Sequence, residues 1–165
     1  MIHLTRKTIA LLATTWLATA TLTSAIADEK PPLLDRSKFS IGAGLSNNSL
    51  SGPFSDEIGY QFFGAYNLTA INIMEGVYTS VEVGYMDYGF DGADTNGIWA
   101  TGVVDGPIGK NFGWLARLGF DFGDDSGLML GGGISYSINK KFELRGEYVI
   151  RDQIDSLQFN VLYRL

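Results

Sequence analysis

From Lys38 to Leu165 a period of two dominates the placement of apolar residues, and this constrains the fold more than any other feature of the chain. Successive side chains of an extended strand point to opposite faces, so strict alternation marks a strand with one apolar face. The last segment is the clearest. Leu157, Phe159, Val161, Tyr163 and Leu165 alternate with Gln158, Asn160, Leu162 and Arg164. Just before it, Phe142, Leu144, Gly146, Tyr148 and Ile150 alternate with Glu143, Arg145, Glu147 and Val149. The same rhythm sets Phe112 to Phe122 against Leu115, Arg117, Gly119 and Asp121, Val81, Val83 and Tyr85 against Ser80, Glu82 and Gly84, and Phe39 to Leu45 against Ser40, Gly42 and Gly44. Second and sixth strands follow near Ile58–Leu68 and Leu130–Tyr136, and a fourth near Gly97–Val104 leaves its register open. Breaks rich in Gly, Asn, Asp, Ser and Lys separate all eight, and no amphipathic helix of convincing length interrupts them.

The first residues follow a different pattern. Arg6 and Lys7 precede an apolar run from Thr8, which ends at the small-x-small site Ala25-Ile26-Ala27. These are the three parts of a secretory signal, with cleavage expected after Ala27. An uncleaved anchor helix is the alternative, because the run is just long enough to span a bilayer. Six threonines within it weigh against that reading. Removal of residues 1–27 takes away two basic and no acidic side chains, leaving 138 residues with a net charge of −8. Such a chain has no electrostatic reason to bind nucleic acid. Residues 28–37, with two adjacent prolines, read as an extended N-terminal leader, and residues 38–165 as the folded domain.

Alternation alone does not say which face is inside. A soluble lipocalin-like barrel turns its apolar face inward, and a membrane barrel turns it toward lipid. Three features favour lipid. The polar face carries no lysine within the strands, whereas a water-facing wall would be studded with it. That face holds Gly and Ser at 40, 42, 44, 80, 84, 131, 133 and 135, which suits a lumen just wide enough to be filled by side chains. Aromatics, among them Tyr60, Tyr66, Tyr85, Tyr88, Phe120, Phe142 and Tyr163, gather toward strand ends, as in interfacial girdles. About 17 residues per strand and connection also suits membrane strands of ~9–11 residues. The expectation is an all-β chain folded as an eight-stranded antiparallel transmembrane β-barrel, an up-and-down meander.

Five segments, 81–89 (VEVGYMDYG), 115–119 (LARLG), 131–136 (GGGISY), 142–148 (FELRGEY) and the terminal strand, follow one another in an order and spacing with a precedent. Together they resemble the small outer-membrane β-barrels of Gram-negative bacteria: the outer-membrane-protein-A-like transmembrane domain and its porin-family and opacity-type relatives. The resemblance implies residence in the bacterial outer membrane among lipid and lipopolysaccharide, as a monomer. It also implies recognition of the C-terminal strand by the barrel-assembly machinery, although the chain ends in Leu165 where the family usually has Phe or Trp. A periplasmic domain after the barrel is not expected, so peptidoglycan anchoring is not implied. With the first strand entering from the periplasm, the extracellular loops would carry Asp56, Glu57, Asp91, Asp94, Asp124, Asp125, Asp152 and Asp155 against the single base Arg151. Those acids read either as simple solvated loops or as a surface that recruits divalent cations.

Chemistry is scarce. The chain has no cysteine, and its one histidine, His3, leaves with the signal. The lipid-modifying and proteolytic enzymes of this barrel class lean on histidine, so an enzyme is the weakest reading, and no cofactor is expected. Glu82, Arg117, Glu143, Arg145, Glu147 and Arg164 share the polar face as three acids and three bases. Buried charges must be paired, so an ionic network filling the barrel is expected, with Arg117 reaching Glu82 or Glu147. A structural or surface-interaction barrel and a narrow porin-like pore are the two functions left.

Overall fold

The computed structural model describes residues 34–50, 56–71, 73–90 and 95–165. The signal-like segment therefore lies outside the described residues. A single 3-10 turn at Arg36–Lys38, capped by the Asp35 side chain on the Ser37 amide, leads into the first strand. Eight strands follow within the described residues: β1 (Phe39–Leu50), β2 (Glu57–Asn67), β3 (Tyr78–Asp87), β4 (Asn96–Pro107), β5 (Phe112–Asp121), β6 (Gly127–Ser137), β7 (Phe142–Ile150) and β8 (Ile154–Arg164). Each pairs antiparallel with its sequence neighbours, and β1 pairs with β8 from Ser40↔Arg164 to Leu50↔Ile154, which closes the barrel. Closure leaves no edge, so every strand has ladder partners on both sides.

Local chemistry shapes the turns. Between β6 and β7 the Asn139 carboxamide oxygen accepts from the amides of Lys141 and Phe142, at 2.8 and 2.9 Å. At the end of β3, Gly89 takes φ +82°, and a Cβ there would strike the Ile58 carbonyl. No residue with a side chain fits that approach. We call the end where β1 begins and β8 stops proximal, and the opposite end distal.

The two faces are inverted relative to a water-soluble protein. Ile58, Phe62, Ile98, Leu118, Ile134 and Phe159 point outward, and Ile58 is 65% exposed. Inward stand Gln61, Glu82, Thr101, Arg117, Glu147, Gln158 and Asn160, all buried. The register of β4 follows from its partners: Glu82 lies opposite Thr101 and Gly84 opposite Trp99, so Trp99, Thr101 and Val103 face the lumen. Three cross-strand aromatic pairs stand near the proximal end: Phe39 with Tyr66, Phe112 with Tyr136 and Phe142 with Tyr163, with ring centres 4.7 to 5.1 Å apart. Tyr88 departs from the girdle expected of it. It is fully buried at the distal end, because its even-numbered parity continues the inward face of Glu82, Gly84 and Met86.

Candidate functional site: a lumen filled by charge

Six charged side chains meet inside the barrel as an alternating series. Arg164, at the proximal mouth, contacts Glu143, and Arg145 Nε lies 2.8 Å from the other Glu143 oxygen. Arg145 Nη1 then crosses the lumen from β7 to Glu82 on β3, at 2.6 Å. Glu82 also meets Arg117 Nη2 at 3.1 Å, and the same nitrogen lies 2.6 Å from Glu147. The structure thus brings together all six residues that the sequence placed on the polar face, and Arg117 touches both acids. Amides complete the layer. Asn160 donates to Glu147 at 3.0 Å, and Gln61 donates to Asn160 at 2.7 Å and to Gln158 at 2.9 Å.

Position explains this arrangement. Glu82, Arg117 and Glu147 lie mid-strand on three different walls, and a barrel of eight strands is narrow enough for long side chains to meet across it. The Glu82, Arg117 and Glu147 side chains have no exposed surface. The guanidinium of Arg117 also lies 5.4 Å from the centre of the Trp99 ring, a cation–π contact that offsets part of its desolvation.

Distal to this layer, Phe63, Met86, Tyr88, Trp99, Met129, Val149 and Ile154 form an apolar cluster. An ion pair separate from the alternating series closes it. Arg151 Nε lies 3.1 Å from Asp121, whose carboxylate also accepts from the Tyr88 hydroxyl. Arg151 further donates to Ser156 at 2.7 Å and packs its guanidinium over the Tyr88 ring, and Ser156 donates to Asn48. Arg151, expected as the base of an external loop, is therefore a buried lumen residue. Sequence reasoning missed this cluster although a signal existed. Arg151 continues the odd-numbered inward series Glu143, Arg145, Glu147 and Val149, and Asp121 already lay on the inward face of β5. Extending each parity by one step beyond the strand end would have found the pair.

The expected loop acids do varied work. Asp91 and Asp94 lie outside the described residues. Asp125 is buried and accepts from the amides of Gln153 and Ile154, at 2.9 and 3.0 Å. Burial pushes its carboxyl above the usual range, while those two hydrogen bonds and Arg151 pull it back. Asp124 accepts from the Asn96 amide, Asp56 from Asn47, and Asp155, which lies within β8, from the Tyr148 hydroxyl. Glu57 opens β2, and Asp152 stands exposed in the β7–β8 turn. Among the described residues no three metal-ligating side chains converge.

At the proximal end the lumen opens instead into a polar vestibule of about 420 Å³, lined among others by Ser40, Ser80, Asp105, Lys110, Arg145 and Arg164. One barrel thus has a hollow proximal mouth, a charged middle and a packed distal half.

No family model matches the chain, and no curated protein matches it by sequence. Solved structures do match. A de novo designed transmembrane β-barrel aligns over 84% of this chain and 100% of its own at 13% identity, with a TM-score of 0.57. Ail, the outer membrane protein of Yersinia pestis, aligns over 78% and 99% at 12% identity, TM-score 0.56. Neisserial surface protein A aligns over 78% and 98% at 15% identity, TM-score 0.51. The fold is that of the eight-stranded outer-membrane barrels. At such identities the likeness is one of fold, and function must be argued from this chain's own lumen and surfaces.

Proposed function

We propose that this protein is a non-enzymatic integral barrel of the bacterial outer membrane, with a structural or surface-interaction role. The observation that carries the reading is the closed lumen. The series Arg164–Glu143–Arg145–Glu82–Arg117–Glu147 spans it, and Trp99, Met86 and Tyr88 pack the space distal to that series. The outward belt of Ile, Leu, Val and Phe supports membrane residence, since an apolar surface of this extent in water is an aggregation hazard, and a closed barrel satisfies every backbone hydrogen bond in lipid. Cleavage after Ala27 would release the chain for export, and the C-terminal strand would serve the assembly machinery. The proximal end would face the periplasm and the distal acids the cell exterior, among lipopolysaccharide.

The vestibule favours the second reading, a narrow pore, because half of a conduit is already present. Planar-bilayer recording on the reconstituted protein separates the two. The structural reading expects no steady current above the bilayer baseline. Large steady currents in the parent protein would overturn it.

A further inference from the structure

We propose that the outer wall across β8, β1, β2 and β3 holds one glycerophospholipid, its acyl chain in a groove and its phosphate at Lys141. The inference goes beyond the closed-lumen reading and shares with it only the membrane setting.

The groove arises from two small outward residues among large ones. Ala43 lies opposite Phe62 and Val161, and Gly64 lies opposite Ile41 and Val83. With Tyr163 these residues line a shallow, open apolar hollow of about 570 Å³ on the outer surface, which Gly42 and Phe63 also border. A Cβ built on Gly64 meets nothing within 4 Å. In a bilayer the apolar walls of this hollow gain dispersion contacts from flexible hydrocarbon seated against them.

The proximal end of the groove supplies the other half of an amphiphile site. Tyr163 lines the groove, and its hydroxyl accepts a 3.0 Å hydrogen bond from Lys141 Nζ, which also lies 5.2 Å from the ring centre. Phe142 packs against the same ring as a tilted pair, with centres 5.1 Å apart. An ammonium has three donors. Tyr163 engages one, and two remain for phosphate oxygens at the level where strands give way to turns. An ammonium at one end of an apolar groove is complementary to an anionic head group joined to an acyl chain, which is the chemistry of a phospholipid.

The test uses the folded full barrel, native mass spectrometry and added phosphatidylglycerol. The parent is expected to retain one lipid under activation that strips the rest. Gly64→Leu, which fills the groove, and Lys141→Gln, which leaves it open, should each lower that occupancy roughly fivefold. Heat-dependent electrophoretic mobility establishes that each variant is folded. Unchanged occupancy in both folded variants would overturn the proposal. So would a parent dimer that Gly64→Leu abolishes, which would make the groove a protein interface. Steady current through the parent would overturn the closed-lumen reading and leave this one standing, so the two fail separately.

Discussion

Gly84 and Gly64 stand opposite neighbouring residues on adjacent strands, yet they answer to different physics. A Cβ on Gly84 would come within 2.5 Å of the Trp99 ring, so the residue is glycine because a buried indole occupies its side-chain space. Gly64 points outward, and a Cβ there meets nothing. The same contrast runs through the wall. Inward Gly131 lies under Arg117 and Val149, whereas the nearest atom to a Cβ on outward Gly102 is 3.9 Å away. Inside, small residues make room for large neighbours. Outside, they shape a surface that the barrel itself does not fill.

The sharpest break of this contrast is electrostatic. Arg117→Met leaves Glu82 and Glu147 buried without their shared partner, and removal of one member of such a set costs about 3–5 kcal/mol. Urea unfolding in lipid vesicles should register it, and a double-mutant cycle with Glu82→Gln should recover part of the loss. Additive losses would mean that the two residues do not interact.

The outward face should object to charge for the opposite reason. Val83 lies mid-strand and half exposed on the outer wall, and Val83→Arg should cost about 2–4 kcal/mol in a bilayer. A neutral effect in the same vesicles would show that this wall does not meet hydrocarbon.

A paired glycine experiment sharpens the comparison at lower energy. Gly84→Ala forces Trp99 to shift, as overpacked cores do at about 1–3 kcal/mol. Gly64→Ala should be neutral or stabilise by roughly 0.5 kcal/mol through reduced backbone freedom. Thermal midpoints of the mobility shift rank the two, and equal midpoints would dissolve the distinction between the faces.

The smallest effect is expected where the faces meet, in the distal turns. Burial raises the folded carboxyl of Asp125 above its unfolded value. The protonated form is therefore favoured by folding, and its stabilising contribution is full below the unfolded pKa and lost as pH rises through the folded one. Unfolding of parent and Asp125→Asn across the acid range should show the parent losing ground as pH rises. A constant gap would mean that burial does not shift the group.

Much of this was legible in the chain itself. The parity of Val81, Val83 and Tyr85 against Glu82 and Gly84, repeated along the barrel, placed strands and faces, because side-chain alternation is a local property of extended backbone. Parity also put the six charged residues on one face. It was silent on β4, where Trp99, Thr101 and Val103 alternate with Ile98, Ala100 and Gly102 and apolar residues occupy both sides. There the register came from pairing with β3 and β5.

What only the tertiary structure decided is which inward residues meet. Arg145 finds Glu82 although 63 residues and several strands separate them, because strand stagger and barrel diameter set who faces whom across a lumen. Parity turns Arg151 and Tyr88 inward, but the same cross-barrel geometry is what brings both onto Asp121 and leaves the proximal mouth hollow. Alternation along a strand is decided by two neighbouring peptide planes. Contact across the barrel is decided by the relative shift of all eight strands, which a single strand's sequence does not encode.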